Sequence, residues 1–386
     1  MSNKKPVLII GGGIGGATAA LALRKIGVEA FVFERAPELK EVGAGLGLWL
    51  NAVSVFDKLG IGEKIRSISQ PLLYGDMCSP EGKVIMRMKI SDVLGSNDTG
   101  NFVMHRADLH NAILENLPKE ILFTNHELAH FEQNGESVTA HFKNDAIFEG
   151  SLLIGADGLH SIVRRAIAGE TPLIYSGQTC YRSIAEFTDE TSDTIREIQG
   201  RGMRGAVCPL TNEKVYWWAA LNAPAGEQDV PAERRERLLE KFEGWSFGLP
   251  EAIAATTGEI LRNDLYDREP LTNWTNGKVT LLGDAAHPTT PNLGQGACMA
   301  IEDGFVLARN IQKHGLNENA LVAYQTERIP RTTTIVKQSR QFGRLASWEN
   351  PIAVWLRETM VKLTPASASR KMIRENICYD AGSLNS

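Results

Sequence analysis

The sequence predicts a mixed α/β (α+β) fold: a nucleotide-binding α/β domain, a second domain with a mixed sheet, and helices at the C-terminal end. Three observations support this fold class. An apolar strand near the N-terminus runs into a glycine-rich turn and a helix, "VLIIGGGIGGATAALAL". Two later apolar strands end in acidic turns, "SLLIGADG" and "KVTLLGDAAH". Between them, residues 175–222 are rich in strand-forming side chains.

The first of these turns has the spacing of a Rossmann-like dinucleotide site. Residues 7–10 are wholly apolar, as in a buried parallel strand, and Gly11, Gly13 and Gly16 form Gly-x-Gly-x-x-Gly before the predicted helix. The next predicted strand, "EAFVFER", ends in Glu34, where a carboxylate can hold a ribose hydroxyl. A signal peptide or a short membrane span is the alternative for this stretch, but its clustered glycines weaken a hydrophobic helix. The pattern predicts a dinucleotide and leaves NAD and FAD open.

Composition narrows the class of protein. The chain has 386 residues, 43% hydrophobic and 23% charged, as in a soluble protein of two or three domains. Its net charge of −5 gives no reason to expect nucleic acid as a partner. Five scattered cysteines without a C-x-x-C pair favour reduced thiols in a cytoplasmic protein, with no metal site. We expect no membrane span.

Two further blocks repeat the pattern of a strand that ends in an acidic turn. An Asp157-Gly turn follows the first strand, with Ser161 and Arg164 shortly after it. Capping of a helix by Asp157 or Ser161 is the alternative to a ligand-binding role. The second block, "GDAAHPTTPNLGQG" at residues 283–296, is too rich in glycine and proline for a helix or a central strand, and a helix is predicted from about Ala297. A loop of this kind is typical of a binding site.

In this order, G-x-G-x-x-G, D-G-x-x-S-x-x-R and G-D-A-A-H-P resemble the motifs of the group A flavoprotein monooxygenases, which have the p-hydroxybenzoate hydroxylase fold. The resemblance covers nearly the whole chain. "GDAAHPTTPNLGQGACMAIED" and the later "SWENPIAVWLRETMVKLTP" are most similar to the branch of salicylate hydroxylase, urate hydroxylase and zeaxanthin epoxidase. The resemblance implies a monooxygenase that binds FAD and uses NADPH or NADH and O2. It would hydroxylate a small electron-rich aromatic or heteroaromatic substrate through a flavin C4a-hydroperoxide.

The resemblance also implies which residues hold FAD. The glycine-rich turn and the two residues that end the second strand would bind the ADP half. An arginine that opens a helix would lie near the pyrophosphate, and the acid of the Asp-Gly turn would serve both FAD and NAD(P)H. The late loop would hold the ribityl chain and the pyrimidine end of the flavin ring, with the positive end of a helix dipole beside it. In chain order these residues are Gly11, Gly13, Gly15, Gly16, Glu34, Arg35, Arg106, Asp157, Asp284, Gly294, Gln295 and Gly296.

Three residues are predicted on the reactive side. The resemblance places Arg204 and Tyr216 in the substrate pocket, where the arginine would anchor an anionic or acidic group and the tyrosine would donate or relay a proton. Pro288 would stiffen the loop beside the flavin, because proline fixes φ. A surface position for Arg204 and a sheet-covering role for Trp217 and Trp218 are the alternatives. His287 is either a base or, as is more common in the family, a structural part of the loop.

The expected FAD-binding domain is discontinuous, with a substrate domain inserted into it. Other functions on the same scaffold are a flavin-dependent reductase or dehydrogenase, an epoxidase of a larger apolar substrate, or a non-catalytic nucleotide-binding protein. A monomer or a homodimer is expected. The predicted boundaries are residues 1–72, 98–174 and 266–330 for the FAD-binding domain, 73–97 and 175–265 for the substrate domain, and 331–386 for the C-terminal helices.

Overall fold

The computed structural model describes residues 5–39, 43–95, 100–187 and 193–384. In these ranges the chain alternates strands and helices, which confirms the predicted α/β class. The strands are β1 (Val7–Ile10), β2 (Ala30–Phe33), β3 (Gly45–Trp49), β4 (Gln70–Pro71), β5 (Tyr74–Cys78), β6 (Val84–Lys89), β7 (Asn101–His105), β8 (Leu122–Phe123), β9 (Leu128–Gln133), β10 (Val138–Phe142), β11 (Ile147–Gly150), β12 (Leu152–Gly155), β13 (Ile174–Glu186), β14 (Thr194–Gln199), β15 (Met203–Pro209), β16 (Lys214–Asn222), β17 (Leu261–Asp267), β18 (Thr275–Asn276) and β19 (Val279–Leu281).

The helices pack on these strands and extend the chain at its C-terminal end. None in the described ranges is both long and apolar enough to cross a membrane. The α-helices are α1 (Ile14–Lys25), α2 (Leu50–Leu59), α3 (Gly62–Ser67), α4 (Ile90–Leu94), α5 (Arg106–Leu114), α6 (Ile162–Ala168), α7 (Arg234–Lys241), α8 (Leu249–Ala254), α9 (Gly296–His314), α10 (Glu318–Ala346), α11 (Pro351–Leu363) and α12 (Ala366–Ile377).

The first sheet has the order β18-β19-β12-β1-β2-β8 and is parallel except for the β18–β19 pair. Its three central strands, β1, β12 and β19, are wholly buried, which explains why they are continuous apolar runs. Because parallel strands end at the same edge, the turns after β1, β12 and β19 lie side by side. The three sequence motifs thus meet at one edge of one sheet, as in other doubly wound folds.

The second sheet has the order β17-β13-β16-β15-β14-β5-β6 and is antiparallel except for the β14–β5 pair. One face, which includes Trp217, is buried against α7 and α8. The opposite face carries Tyr216 and Trp218, which share it because side chains alternate along a strand. Trp217 therefore covers the sheet as the alternative predicted, whereas Trp218 faces the other way.

Prolines lie at the start of two of the C-terminal helices. Pro351 begins α11, and Pro365 is the residue before α12. Pro330 lies inside α10, so the boundary expected between residues 330 and 331 falls within one continuous helix. The boundary expected between residues 97 and 98 lies outside the described residues.

Candidate active site

The turn after β1 needs glycine at two positions for steric reasons. Gly11 has a φ of +108°, and a Cβ there would overlap the carbonyl oxygen of Ala156 in the neighbouring turn. A Cβ on Gly16 would overlap the carbonyl oxygen of Gly11, so α1 leaves the turn in direct contact with the backbone. These are the tight turn and the close helix–strand packing that the motif requires.

The N-terminus of α1 is suited to an anion. Gly13 is its N-cap and has no side chain to cap the helix, and its first turn contains no acidic residue. The backbone N–H groups of this turn and the helix dipole therefore remain available for phosphate. Gly15 lies on another side, where a Cβ would meet Ala300 of α9. Glycine at that position is explained by the close crossing of the two helices.

Glu34 is held beside this turn by backbone donors. Its carboxylate accepts hydrogen bonds from Gly12 N (3.0 Å) and Ala36 N (2.9 Å). The adjacent Arg35 is exposed. His110 of α5 supports the turn from below, since its Nε2 lies 2.6 Å from the carbonyl oxygen of Gly12. The sequence analysis missed His110, which carries no motif signal.

The Asp157 carboxylate caps a helix. It accepts hydrogen bonds from Ser161 Oγ (2.5 Å) and Ile162 N (2.8 Å), and Ser161 Oγ accepts one from Arg164 N (2.8 Å). Burial raises the pKa of Asp157, although the hydrogen bond from Ser161 acts in the opposite direction. Both residues cap α6, so the capping alternative for this turn is confirmed. A contact of Asp157 with a cofactor remains a prediction.

Arg164 joins two of the motifs. Its buried guanidinium donates from Nη1 to the carbonyl oxygens of Ala285 (3.0 Å) and Ala286 (2.8 Å). The last residue of D-G-x-x-S-x-x-R thereby fixes the backbone of G-D-A-A-H-P. We infer that the arginine is present in the motif to position the late loop.

The late loop rests on a buried charge network that the sequence analysis did not identify. His287 Nε2 and Arg328 Nε each lie 2.6 Å from an oxygen of Asp303, which also accepts a hydrogen bond from Gly283 N (3.0 Å). The neighbouring Glu302 pairs with Arg328 (2.6 Å) and with Arg331 (2.7 Å). Burial alone would raise the pKa of Asp303, but His287 and Arg328 together lower it to about 2.

This network gives His287 a structural role. The side chain is 2% exposed, and its Nε2 is held by the carboxylate of Asp303 in α9. Pro288, the next residue, is also buried. Asp284, by contrast, is exposed at the start of the loop.

The end of the loop contains unpaired buried polar atoms. Gln295 Oε1 accepts a hydrogen bond from Asn51 Nδ2 (3.0 Å), and the same Nδ2 lies 2.5 Å from Glu302 Oε1. Gln295 Nε2 and Asn51 Oδ1 are buried without a hydrogen-bond partner among the described residues. Gly294 has a φ of +62° and faces the indole Nε1 of Trp49. Buried orphaned donors and acceptors of this kind are the groups that a polar ring edge satisfies.

Arg204 and Tyr216 lie on neighbouring strands of the second sheet. Arg204 is 2% exposed, which excludes the surface position considered for it. Its Nη1 lies 3.3 Å from Glu197 Oε1, and its Nη2 donates to Asn292 Oδ1 in the late loop. Its guanidinium lies over the rings of Trp218 (5.2 Å) and Phe342 (5.7 Å).

Tyr216 lies close to β3, outside the second sheet. Its ring lies against Gly45 of β3, where a Cβ would overlap it, and Gly43 is in the same way close to Arg106. Burial raises the pKa of the Tyr216 phenol well above its usual range, and nearby Arg106 opposes this rise only in part. The phenol stays protonated at neutral pH and is a hydrogen-bond donor.

These groups fit FAD. An uncapped helix N-terminus and a glycine turn suit the pyrophosphate, Glu34 suits the ribose, and Gln295 and Asn51 suit a polar ring edge at the N-terminus of α9. Fold and site together define a flavin-dependent oxidoreductase.

The comparisons with known proteins place the chain within that class. It belongs to the family described as FAD binding domain, whose model matches residues 4–339, and it is an FAD-dependent monooxygenase. It is 36% identical to aurachin C monooxygenase/isomerase of Stigmatella aurantiaca, over 98% of this chain and 99% of that protein. It is 32% identical to 2-heptyl-3-hydroxy-4(1H)-quinolone synthase of Pseudomonas aeruginosa, with the same two coverages.

Among solved structures, the chain resembles HpxO of Klebsiella pneumoniae complexed with FAD and uric acid. The TM-score is 0.91 at 25% identity, and the match covers 100% of this chain and 99% of that one. The fold, the monooxygenase class and the FAD cofactor expected from the motifs are thereby confirmed.

Proposed function

We propose that the enzyme hydroxylates a fused aromatic N-heterocycle that carries an alkyl chain, as a 2-alkyl-4(1H)-quinolone does. One relative is named as a synthase of 2-heptyl-3-hydroxy-4(1H)-quinolone, which is such a ring with a hydroxyl group between a carbonyl and an alkyl-bearing carbon. The balanced reaction is ring C–H plus O2, NAD(P)H and H⁺ to ring C–OH, NAD(P)⁺ and water. NADPH or NADH is part of the proposal.

The environment of Arg204 carries this proposal. Its positive charge is already opposed by Glu197, so the site has little reason to prefer a second full negative charge. Its Nε–H is buried without a hydrogen-bond partner among the described residues, and the guanidinium lies between two aromatic rings. One free donor in an aromatic setting suits a ring carbonyl. This changes the substrate expected from the sequence from an anion to a neutral heterocycle.

Tyr216 and Pro288 complete the proposed substrate side. The protonated phenol of Tyr216 would donate to a polar group of the ring, and buried Pro288 would keep the loop rigid over the reacting face. The aromatic ring of such a substrate is electron-rich at the carbon next to the carbonyl, which suits an electrophilic oxygen donor. Exclusion of water by this face would prevent loss of the oxidant as hydrogen peroxide.

FAD activates O2 when it is bound, and we propose that the following residues hold it. The backbone N–H groups at Gly11, Gly13, Gly15 and Gly16 would approach the pyrophosphate, with Glu34 and Arg35 toward the adenosine. Arg106, Asp157 and Asp284 would bind the middle of the molecule. The backbone at Gly294 and Gly296, with the Gln295 side chain, would hold the pyrimidine edge.

The domain division, the cytoplasmic location and a monomeric or homodimeric state are further parts of the proposal. None of the five cysteines, all of which lie in the described ranges, forms a disulfide and four of them are buried, which is compatible with a reducing compartment. The two sheets support the division into an FAD-binding and a substrate domain. Because α10 is continuous across residues 330 and 331, we propose that the whole helix belongs to one domain.

A substrate panel tests the function. NAD(P)H oxidation and O2 uptake are measured with 2-methyl- and 2-heptyl-4(1H)-quinolone, uric acid, salicylate and a polyene, and products are analysed by mass after reaction under ¹⁸O2. We expect both quinolones to stimulate oxidation and to gain one ¹⁸O atom. Stimulation by salicylate or uric acid alone would contradict the proposal, and an epoxide from the polyene alone would favour the epoxidase alternative.

A further inference from the structure

The exposed apolar side chains of the chain are concentrated on one helix. Of the eleven large hydrophobic residues that are exposed in the described ranges, six lie between residues 352 and 372. Five of the six belong to α11, at exposures from 44% to 75%. At about 100° per residue these five occupy an arc of about 140° on the helix surface. They are Ile352, Trp355, Leu356, Met360 and Leu363, and we call this arc the apolar stripe.

The stripe faces outward because the opposite side of α11 is firmly anchored. Arg357 is buried and donates to the carbonyl oxygens of Gly200 (3.0 Å) and Ala346 (3.3 Å). Val354 is buried on the same side, and Asn350 caps the helix by accepting from Ile352 N (2.9 Å). The helix thus turns a charged side chain inward and its apolar stripe outward, the reverse of an ordinary surface helix.

The charge of the two helices in this segment indicates the occupant of the stripe. Residues 351–377, which contain α11 and α12, have five basic and two acidic side chains. Because Arg357 is buried, the other four basic and two acidic side chains give the surface of this segment a net charge of +2, in a chain of net charge −5. Lys362, Arg370, Lys371 and Arg374 are exposed. An amphipathic helix with an exposed tryptophan, followed by basic residues, is typical of a segment that lies in the interface of an anionic lipid bilayer.

A second copy of the chain is a poorer match for the same surface. In a twofold dimer the same patch meets itself, so two segments with a net positive surface would face each other. Like charges in apposition oppose association. An anionic lipid surface can bury the apolar stripe and can also attract the exposed basic side chains of the same segment.

The helix is also joined to the substrate side of the enzyme. The link between α10 and α11 is hydrogen-bonded to the second sheet, through Gly202 N to Trp348 O (2.9 Å) and Asn222 Nδ2 to Ser347 O (2.8 Å). Arg204 is two residues from Gly202, and Phe342, which covers Arg204, is on α10 just before the link. The short link that precedes α11 is therefore hydrogen-bonded to the sheet that carries Arg204.

We propose that α11 docks the enzyme on an anionic lipid surface, with the apolar stripe in the interface, and that the substrate enters from that surface. The docking stands on the stripe and the charge alone. The delivery of an alkyl-bearing substrate rests on the proposed function. A chain such as heptyl partitions into lipid, so an enzyme held there meets its substrate at a higher local concentration.

Flotation of the FAD-loaded enzyme with vesicles tests the docking without any turnover. Two vesicle types are used, pure phosphatidylcholine and equal parts phosphatidylcholine and phosphatidylglycerol. The variant Ile352→Ser/Trp355→Ser/Leu363→Ser removes the three most exposed members of the stripe, and Ile147→Ser, at a residue that is 62% exposed on β11, is the matched control. Flavin content confirms that each variant is folded.

We expect the wild type and Ile147→Ser to float with the anionic vesicles, and the triple variant to bind at least tenfold less. Arg370→Gln/Lys371→Gln should weaken binding severalfold, and added salt should do the same. The docking would be overturned if the wild type did not bind the anionic vesicles, or if the triple variant bound them as well as the wild type does. A wild-type dimer in sedimentation that the triple variant converts to a monomer without any vesicle binding would also overturn it.

A kinetic arm separates this proposal from the proposed function. With 2-methyl-4(1H)-quinolone in solution, the triple variant should match the wild type. With 2-heptyl-4(1H)-quinolone in anionic vesicles, it should have a severalfold lower rate. Inactivity of the wild type on both quinolones would contradict the proposed function while the flotation result stands. Equal rates of both proteins on the vesicle-borne substrate would overturn delivery.

Discussion

The proposed cofactor side and the proposed substrate side of this enzyme are stabilised in different ways. On the proposed cofactor side, backbone conformation and buried ion pairs fix the loop at residues 283–296, where Asp303 has a charged or polar partner at both oxygens. On the proposed substrate side, the Nε–H of Arg204 has no hydrogen-bond partner among the described residues, and its guanidinium lies over two aromatic rings. The first arrangement suits a cofactor that stays bound through every turnover. The second leaves one hydrogen-bond donor for a substrate that binds and dissociates in each turnover.

The largest expected effect of a single change is on the network beneath the loop. Asp303→Asn removes the buried charge that His287 and Arg328 share, which should lower the free energy of unfolding by about 3–5 kcal/mol. Urea denaturation of the FAD-loaded protein measures it. The control is Asp380→Asn, whose carboxylate is 78% exposed, pairs with Lys58 and accepts a hydrogen bond from Gly382 N. That change should cost less than about 1 kcal/mol. Equal losses in the two variants would show that the network does not carry the loop.

The next effect concerns FAD itself. Asp284→Ala removes an acceptor proposed for the cofactor and should weaken FAD binding by about 1–3 kcal/mol, roughly fivefold to more than a hundredfold in Kd. Fluorescence titration of the apoprotein with FAD measures this. Glu136→Ala, at an exposed acid on the turn between β9 and β10, should leave the Kd unchanged. A wild-type Kd in Asp284→Ala would remove this residue from the FAD site.

The pH dependence of stability should reveal Asp303. Its folded pKa, about 2, lies below the ordinary value of 3.8, so its contribution is fully present above pH 4 and is lost as the pH falls toward 2. Between pH 5 and pH 3, the difference in free energy of unfolding between the wild type and Asp303→Asn should shrink by about 1 kcal/mol. Denaturation curves of both proteins at the two pH values measure the difference. An advantage that stays constant, or grows on acidification, would mean that His287 and Arg328 do not hold the carboxylate ionised.

A smaller effect is expected where the two sides meet. Gly294 has a positive φ and faces Trp49, so Gly294→Ala strains the end of the loop without removing a charge. NAD(P)H oxidation should persist while hydrogen peroxide rises severalfold relative to product, because the reacting face is less well closed to water. Gly27→Ala, also at positive φ but with open space around it, is the control for strain alone. Similar peroxide yields in both variants would place the flavin elsewhere.

This contrast also explains what the sequence could and could not predict. Gly11 and Gly16 were identifiable because only glycine fits those backbone positions, and strand–turn–helix order located them. The exposure of Asp284 and the burial of Arg204 depend on packing between segments that are far apart in sequence. Arg204, for example, bonds to Asn292 and lies over Phe342, and no local pattern records either contact.

Some of the missed residues did leave a signal. Glu302 and Asp303 are adjacent acids within the apolar helix "ACMAIEDGFVLARNI", and acids in such a place are buried only when they are paired. His110 and Asn51 have no such signal. Their roles follow from the way in which parallel strands bring three turns to one edge of a sheet.

The most direct test of the contrast is a substrate titration of Arg204→Lys that follows the absorbance of bound flavin. Lysine keeps a positively charged donor near Glu197 and Asn292, but a methylene group replaces the Nε–H that we assign to the ring carbonyl. The account predicts wild-type flavin content with a Kd for 2-heptyl-4(1H)-quinolone raised about tenfold. Loss of FAD from the variant, or a wild-type Kd for the quinolone, would contradict it.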